Sequence, residues 1–169
     1  MKSYIPKITS LFLVALMVAS CGFEPMYSRK SNVSNAIPNH LSQIAISIIP
    51  DKEGQALRNN LIDRLYSSGY PTNPNATLSV SKINEVRTEL DLTKSSEATR
   101  AQLRLQSTMI LTDKNGVVLL SHPIQSITSF NILGSEFATR VTEENARQSG
   151  LNELARQIEL NLSLFYNSK

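Results

Sequence analysis

Residues 100–116 constrain the fold more than any other stretch. Ala101, Leu103, Leu105, Met109 and Leu111 share one parity, while Arg100, Gln102, Arg104, Gln106, Thr108 and Thr112 occupy the other. Strand side chains alternate between faces, so this period of two describes a strand packed on one side and wet on the other. Asp113-Lys114-Asn115-Gly116 closes it. Asn-Gly readily takes the positive φ values of tight hairpin turns, so the chain returns as an antiparallel neighbour. Residues 117–132 supply that neighbour, with Val117, Val118, Leu119, Leu120, Ile124, Ile127, Phe130 and Ile132 as its apolar positions. Pro123 cannot donate a ladder hydrogen bond and marks an edge or a bulge.

A hairpin with one apolar face needs a cover, and the flanking segments provide it. Residues 53–68 place Leu57, Leu61, Ile62, Leu65 and Tyr66 on one stripe, the pattern of an amphipathic helix. Asp51 and Glu53 suit its positive end, Gly69 is the expected C-terminal cap, and Pro71 prevents resumption. A second helix is predicted from Ser135, a fitting N-cap, to Phe165. Its seam is Leu151, Leu154, Ile158, Leu162 and Phe165, with Phe137, Val141 and Ala146 in an earlier section. Gly150 costs about 1 kcal/mol against alanine inside a helix and suggests a bend.

Two more strands complete the sheet. Ile44-Ala45-Ile46-Ser47-Ile48-Ile49 is short, β-branched and closed by Pro50-Asp51. Residues 76–92 read as one long strand with a bulge or bend near 82–84, because Leu78, Val80, Val86, Leu90 and Leu92 share a parity that Ile83 breaks. Lys94-Ser95-Ser96 supplies the next turn. The order is β-α-β-β-β-α, an α+β two-layer sandwich with two helices packed on a four-stranded, mostly antiparallel sheet.

The N-terminus follows different rules. Lys2 and Lys7 precede an apolar run, residues 11–19, which ends on small Ser20. This is the layout of a secretory signal. The run is well short of the ~20 residues that span a bilayer as a helix. Cys21 follows, the only cysteine in the chain. A lone cysteine in an exported protein has no internal disulfide partner. Val18-Ala19-Ser20-Cys21 resembles the bacterial lipobox, whose cysteine is acylated before the signal is cleaved. Multiple acyl chains make such an anchor stable, since each buried methylene contributes about 0.8 kcal/mol and one chain holds only marginally. Gly22 replaces the aspartate that retains many such lipoproteins in the inner membrane, so the resemblance implies the outer membrane.

The chain therefore divides into a signal peptide over 1–20, a lipid-anchored linker over 21–40 and a single domain over 41–169. Residues 28–39 are polar and without periodicity. Phe23, Pro25 and Tyr27 suit packing on the domain, the lipid headgroup level or a loose spacer equally. Discarding Lys2 and Lys7 lowers the formal charge of +3 by two, to +1. No basic tail or charge block points to nucleic acid.

The chemical inventory is thin. His40 and His122 lie in no triad signature or metal-ligand spacing. Glu143-Glu144 reads as a solvated helix face, and Gly54 and Gly69 build no phosphate loop. A binding and assembly protein is expected rather than an enzyme, with no cofactor and no metal.

Cys21-Gly22-Phe23-Glu24-Pro25-Met26-Tyr27 is similar to the Cys-Gly-Phe-x-Pro-Leu-Tyr start of the LPS-assembly lipoprotein (LptE) family of alphaproteobacterial type, with Met26 in place of the commoner leucine. Phe137-Ala138-Thr139-Arg140 and Glu143-Glu144-Asn145-Ala146 resemble the start of that family's second helix, and the element order matches over the mature chain. The resemblance implies an outer-membrane lipoprotein on the periplasmic side. It would plug the large β-barrel LptD, help it assemble, and assist delivery of lipopolysaccharide to the outer leaflet. It also implies lipopolysaccharide contacts in the turn after the second strand and the loop after the fourth. Antiparallel connectivity brings these to one end of the sheet. Lys94, Arg100 and Arg140 lie at that end, and Arg104 continues the wet face; each also reads as an ordinary solvated charge. Three competing expectations stay open: the lipoprotein component of a periplasmic ABC-type lipid transport system, of similar size and anchor; a hydrolase with a dispersed site; and a purely structural lipoprotein.

Overall fold

The computed structural model describes residues 40–66, 69–92 and 98–168. They lie within a unit spanning Ala36–Lys169. Cys21, the tether, Lys94 and its turn lie outside the described residues.

A short 3-10 turn, Leu41–Gln43, leads into β1, Ile44–Ile46. The predicted strand reached Ile49. The ladder extends only to Ser47, whose N–H donates to the Leu78 carbonyl at 2.9 Å, before the chain turns Ile48 outward and Ile49 into the core. Helix α1 is Asp51–Leu65. It buries Leu57, Leu61 and Leu65 completely, and each such burial contributes about 1.5–3 kcal/mol. Gly54 is required by a close approach. A Cβ there would stand 2.9 Å from both the carbonyl carbon and oxygen of Ile49, because the connection folds back onto the first helical turn.

The helix ends before the expected glycine. Tyr66 is the C-cap, its N–H bonding the Ile62 carbonyl at 2.9 Å, while its hydroxyl donates to the Ile44 carbonyl at 2.6 Å. Gly69 is three residues further on, at φ 98°, and serves the following turn.

β2, Ala76–Val80, pairs parallel with β1, and α1 is the crossover between them. β3 is Asn84–Leu92 and β4 is Ala98–Asp113. β2 and β3 both pair antiparallel with β4, end to end along one edge, so the sheet has five strands in four rows. The single bent strand predicted over 76–92 is therefore two strands.

The break is a bulge with consequences. Val80 lies opposite Met109 and Asn84 opposite Gln106, so four steps on one strand match three on the other. One extra residue reverses the parity. Before the break, Leu78 and Val80 face the core. After it, Glu85, Arg87 and Glu89 lie opposite the core residues Leu105, Leu103 and Ala101. Val86 and Leu90, expected on the core face with Leu78, are on the other face. Ile83 is buried at the reversal.

β4 follows its sequence pattern, with Ala101, Leu103, Leu105, Met109 and Leu111 all at 0% exposure. In the turn, only Gly116 has positive φ (81°), and the Asp113 carboxylate accepts from the N–H groups of Asn115 and Val117, both at 2.8 Å. Asn115 keeps negative φ, so the loop is a wider hairpin with a bulge, visible as the register shift between Leu111 and Thr112. β5, Val118–Asn131, pairs only with β4, which makes Pro123 tolerable on its edge.

Helix α2, Glu136–Asn167, is capped by Ser135, whose hydroxyl accepts from the Ala138 N–H at 3.5 Å. Its 32 residues span about 48 Å. Leu151, Leu154, Ile158 and Leu162 are fully buried, as the seam predicted, but Phe137 and Val141 are exposed. Gly150 produces no break in the helix. It is the point of closest approach to the sheet, where a Cβ would stand 2.9 Å from Leu105 Cδ1 and 3.0 Å from Ser126 Oγ.

Candidate functional site

The two helices cover one face of the sheet and leave the other bare. The even positions of β4 lie on the bare face, so Arg100 and Arg104 share it, about 14 Å apart along the strand. Leu90 and Asn131 flank Arg100; Val86 and Ile127 flank Arg104. Val86 and Ile127 are 43% and 45% exposed, an apolar frame around a cation. Arg104 is exposed and makes no ion pair among the described residues.

Arg140 is not on this face. It lies on α2, exposed and ion-paired with Glu136 one turn earlier. It does share an end of the fold with Arg100, because the Ile132 N–H donates to the Thr99 carbonyl at 3.0 Å where β5 leaves the sheet. The end of β3, the start of β4 and the β5–α2 connection thus lie at one end, as connectivity required. Lys94 follows β3 in the sequence and is outside the described residues.

Further along the bare face, the strand break opens a groove of about 730 Å³. Ser81, Lys82, Asn84, Gln106, Thr108 and Gln125 line it. The Gln106 amide donates to the Gln125 side-chain oxygen at 2.8 Å. The Ser81 hydroxyl accepts from the Thr108 N–H at 3.1 Å and so ties the bulge to β4. Lys82 pairs with Asp51 at the rim at 2.9 Å, which raises its pKa chiefly through that hydrogen bond. Sequence parity placed Gln106 and Thr108 on a wet face, but nothing in it signalled a concavity.

The covered face hides a polar cluster that sequence reading missed. Arg147 of α2 donates to both Glu85 oxygens at 2.8 Å, to Glu144 at 2.6 Å and to Glu143 at 3.0 Å. Glu143–Glu144 is half-buried rather than a solvated face. Arg87 stands over the Phe130 ring at 5.7 Å and 4.0 Å from Glu143. These hydrogen bonds, above all those to Glu85, raise the Arg147 pKa and hold the guanidinium charged. Gln148 and then Arg147 lower that of Glu144.

Other exposed groups carry surface rather than chemistry. Leu133, Phe137 and Val141 project near the start of α2, and Leu160 and Leu164 near its end. His40 stacks on Tyr166 with ring centroids 5.6 Å apart, and His122 is exposed on β5. Among the described residues, no group of three His, Cys, Asp or Glu side chains could hold a metal ion. No helix among them is long and apolar enough to cross a membrane.

No curated protein sequence matches the chain. Solved structures do share its fold. A lipoprotein of Caulobacter crescentus superposes with a TM-score of 0.64 at 22% identity, covering 79% of this chain and 97% of that one. Rare lipoprotein B of Shewanella oneidensis gives 0.60 at 10% identity, covering 75% and 97%. A minor lipoprotein of Acinetobacter baumannii gives 0.60 at 22%, covering 73% and 92%. The family model described as LptE, lipopolysaccharide-assembly, matches residues 41–162, from the first turn of the domain through the buried seam of α2, and the chain belongs to that family.

Proposed function

We propose that this protein is an outer-membrane lipoprotein, anchored through Cys21, that plugs the LptD β-barrel, helps assemble it and assists passage of lipopolysaccharide to the outer leaflet. The family match over residues 41–162 carries this reading. The fold supports it: a two-layer domain with exposed leucines on α2 and a cationic, helix-free sheet face has the surfaces of a binding module. The role is non-enzymatic, consistent with a family defined by assembly. The ABC-type transport auxiliary gains no comparable support.

Lipopolysaccharide would meet the turn end of the sheet. Its lipid A phosphates suit arginine, which donates two parallel hydrogen bonds to phosphate oxygens. Arg100 and Arg104 offer this on the bare face, with Arg140 near the same end; Lys94, outside the described residues, follows β3 in the sequence. The test is a Lys94→Ala, Arg100→Ala, Arg140→Ala variant of the full lipoprotein. It should bind lipopolysaccharide at least tenfold more weakly and still co-purify with the barrel. Unchanged binding would remove this site, and loss of the barrel would reassign the residues to the protein interface.

A further inference from the structure

The bare face has an asymmetry that the cationic end does not explain. Among the described residues, none of its strand positions is Asp or Glu. The bulge is the cause on β3, since the parity reversal sends Glu85 and Glu89 to the helix side and leaves Asn84, Val86, Thr88 and Leu90 on this one. Its described strand positions are therefore amide, hydroxyl and apolar, with arginine as their exposed charge, and the Lys82–Asp51 pair at the groove rim adds no net charge. Such a surface repels no anion, and its field favours one.

The groove at the strand break adds a shape to that chemistry. Gln106 gives one amide hydrogen to Gln125, which leaves the Gln106 oxygen and the Gln125 amino group directed to no protein partner in the pair. Together they present an acceptor and a donor side by side, the complement of two neighbouring hydroxyls. Asn84 and Thr108 line the same groove. Arg104, without an ion pair, is two residues from Gln106 on the same face, about 7 Å along the strand. That spacing suits a phosphate and the sugar ring next to it.

We infer that this groove is a saccharide subsite: Gln106, Gln125, Asn84 and Thr108 take the hydroxyls of a sugar unit whose phosphate rests on Arg104. The inference rests on the lipopolysaccharide reading above and specifies which part of a phosphorylated glycolipid the bare face holds. The sugar lies at the bulge, away from the turn end.

The test uses the full lipoprotein in detergent and three probes. These are intact lipopolysaccharide, its fully deacylated phosphorylated oligosaccharide, and the same oligosaccharide after dephosphorylation. Amide resonances of β4 and β5 around Gln106 and Gln125 should shift with both oligosaccharides. Gln106→Leu/Gln125→Leu should weaken both by about tenfold or more. Arg104→Ala should weaken only the phosphorylated one, to the level of its dephosphorylated form. Intact lipopolysaccharide bound by the wild type, with oligosaccharide binding absent or indifferent to the glutamine pair, would overturn the subsite while leaving the lipopolysaccharide reading in place. No binding of any probe by the wild type would overturn both. Loss of barrel co-purification in the glutamine variant, with oligosaccharide binding intact, would make the groove a protein interface and overturn the subsite.

Discussion

Arg147→Ala should be among the most damaging single substitutions outside the apolar core. The side chain is 16% exposed and meets Glu85, at 28%, through two hydrogen bonds, with Glu143 and Glu144 beside it. Truncation does more than lose a pair. It leaves three carboxylates close together, with Arg87, 4.0 Å from Glu143, and the more distant Lys52, which acts on Glu144, as partial compensation. Exposed ion pairs contribute about 0.2–1 kcal/mol, and breaking a fully buried one costs about 3–5 kcal/mol. Intermediate burial with two-pronged geometry places this site at about 2–3 kcal/mol. For a domain of this size, each kcal/mol lowers Tm by about 3–4 °C, so a fall of about 6–12 °C is expected. Urea unfolding followed by circular dichroism should give the same loss. A double-mutant cycle with Glu85→Ala should return a coupling of about 1–2 kcal/mol. A loss below about 0.5 kcal/mol, additive with that of Glu85→Ala, would refute the idea that these charges clamp α2 to β3.

The other predictions are more local. Gly54→Ala should cost more than Gly150→Ala, because the first meets the backbone of Ile49 while the second meets the movable end of Leu105 and a hydroxyl; chemical denaturation of both variants ranks them. Deleting Lys82 should remove the bulge without changing the face of Glu85 or Val86, because three steps from Val80 to Asn84 would then match the three from Met109 to Gln106; a folded domain whose amide spectrum changes only around the break is the expected result, and loss of the native spectrum would contradict the register account. Glu153 should titrate at about 2, held down first by its hydrogen bonds from Arg156 and then by Gln157. Its folded pKa lies below its unfolded value of 4.5, so its contribution to stability is present above that pH and fades as pH falls towards about 2. Arg156→Gln should return the carboxyl titration, followed by NMR, towards 4.5. Cys21→Ser should give an unprocessed or soluble chain that does not partition with outer membranes, which acyl labelling and fractionation would detect.

Much of the fold was legible because it depends on local pattern. The alternation over residues 101–111, the Asp113–Gly116 turn and the seam from Leu151 to Leu162 each state their geometry within a few residues. The phase of β3 was not legible, although Ile83 showed that the parity breaks. Which half of 76–92 keeps its apolar side inward depends on what lies opposite. That partner, Arg147, is 62 residues from Glu85. For the same reason Glu143–Glu144 read as a wet face when taken alone. Gly54 gave no signal either, since its demand comes from the Ile49 backbone folding back on it. Of the cationic residues, parity alone joined Arg100 to Arg104, and only the three-dimensional layering separated Arg140 from them.

The most direct test of the account is covalent capture in the bacterium itself. A photoreactive residue at Leu164, exposed near the end of α2, should cross-link the full lipoprotein in intact outer membranes to one large β-barrel protein. The untreated lipoprotein should co-purify with the same protein. Recovery of the lipoprotein with no barrel, or its capture by components of an inner-membrane ABC-type transporter, would contradict the assignment to barrel assembly.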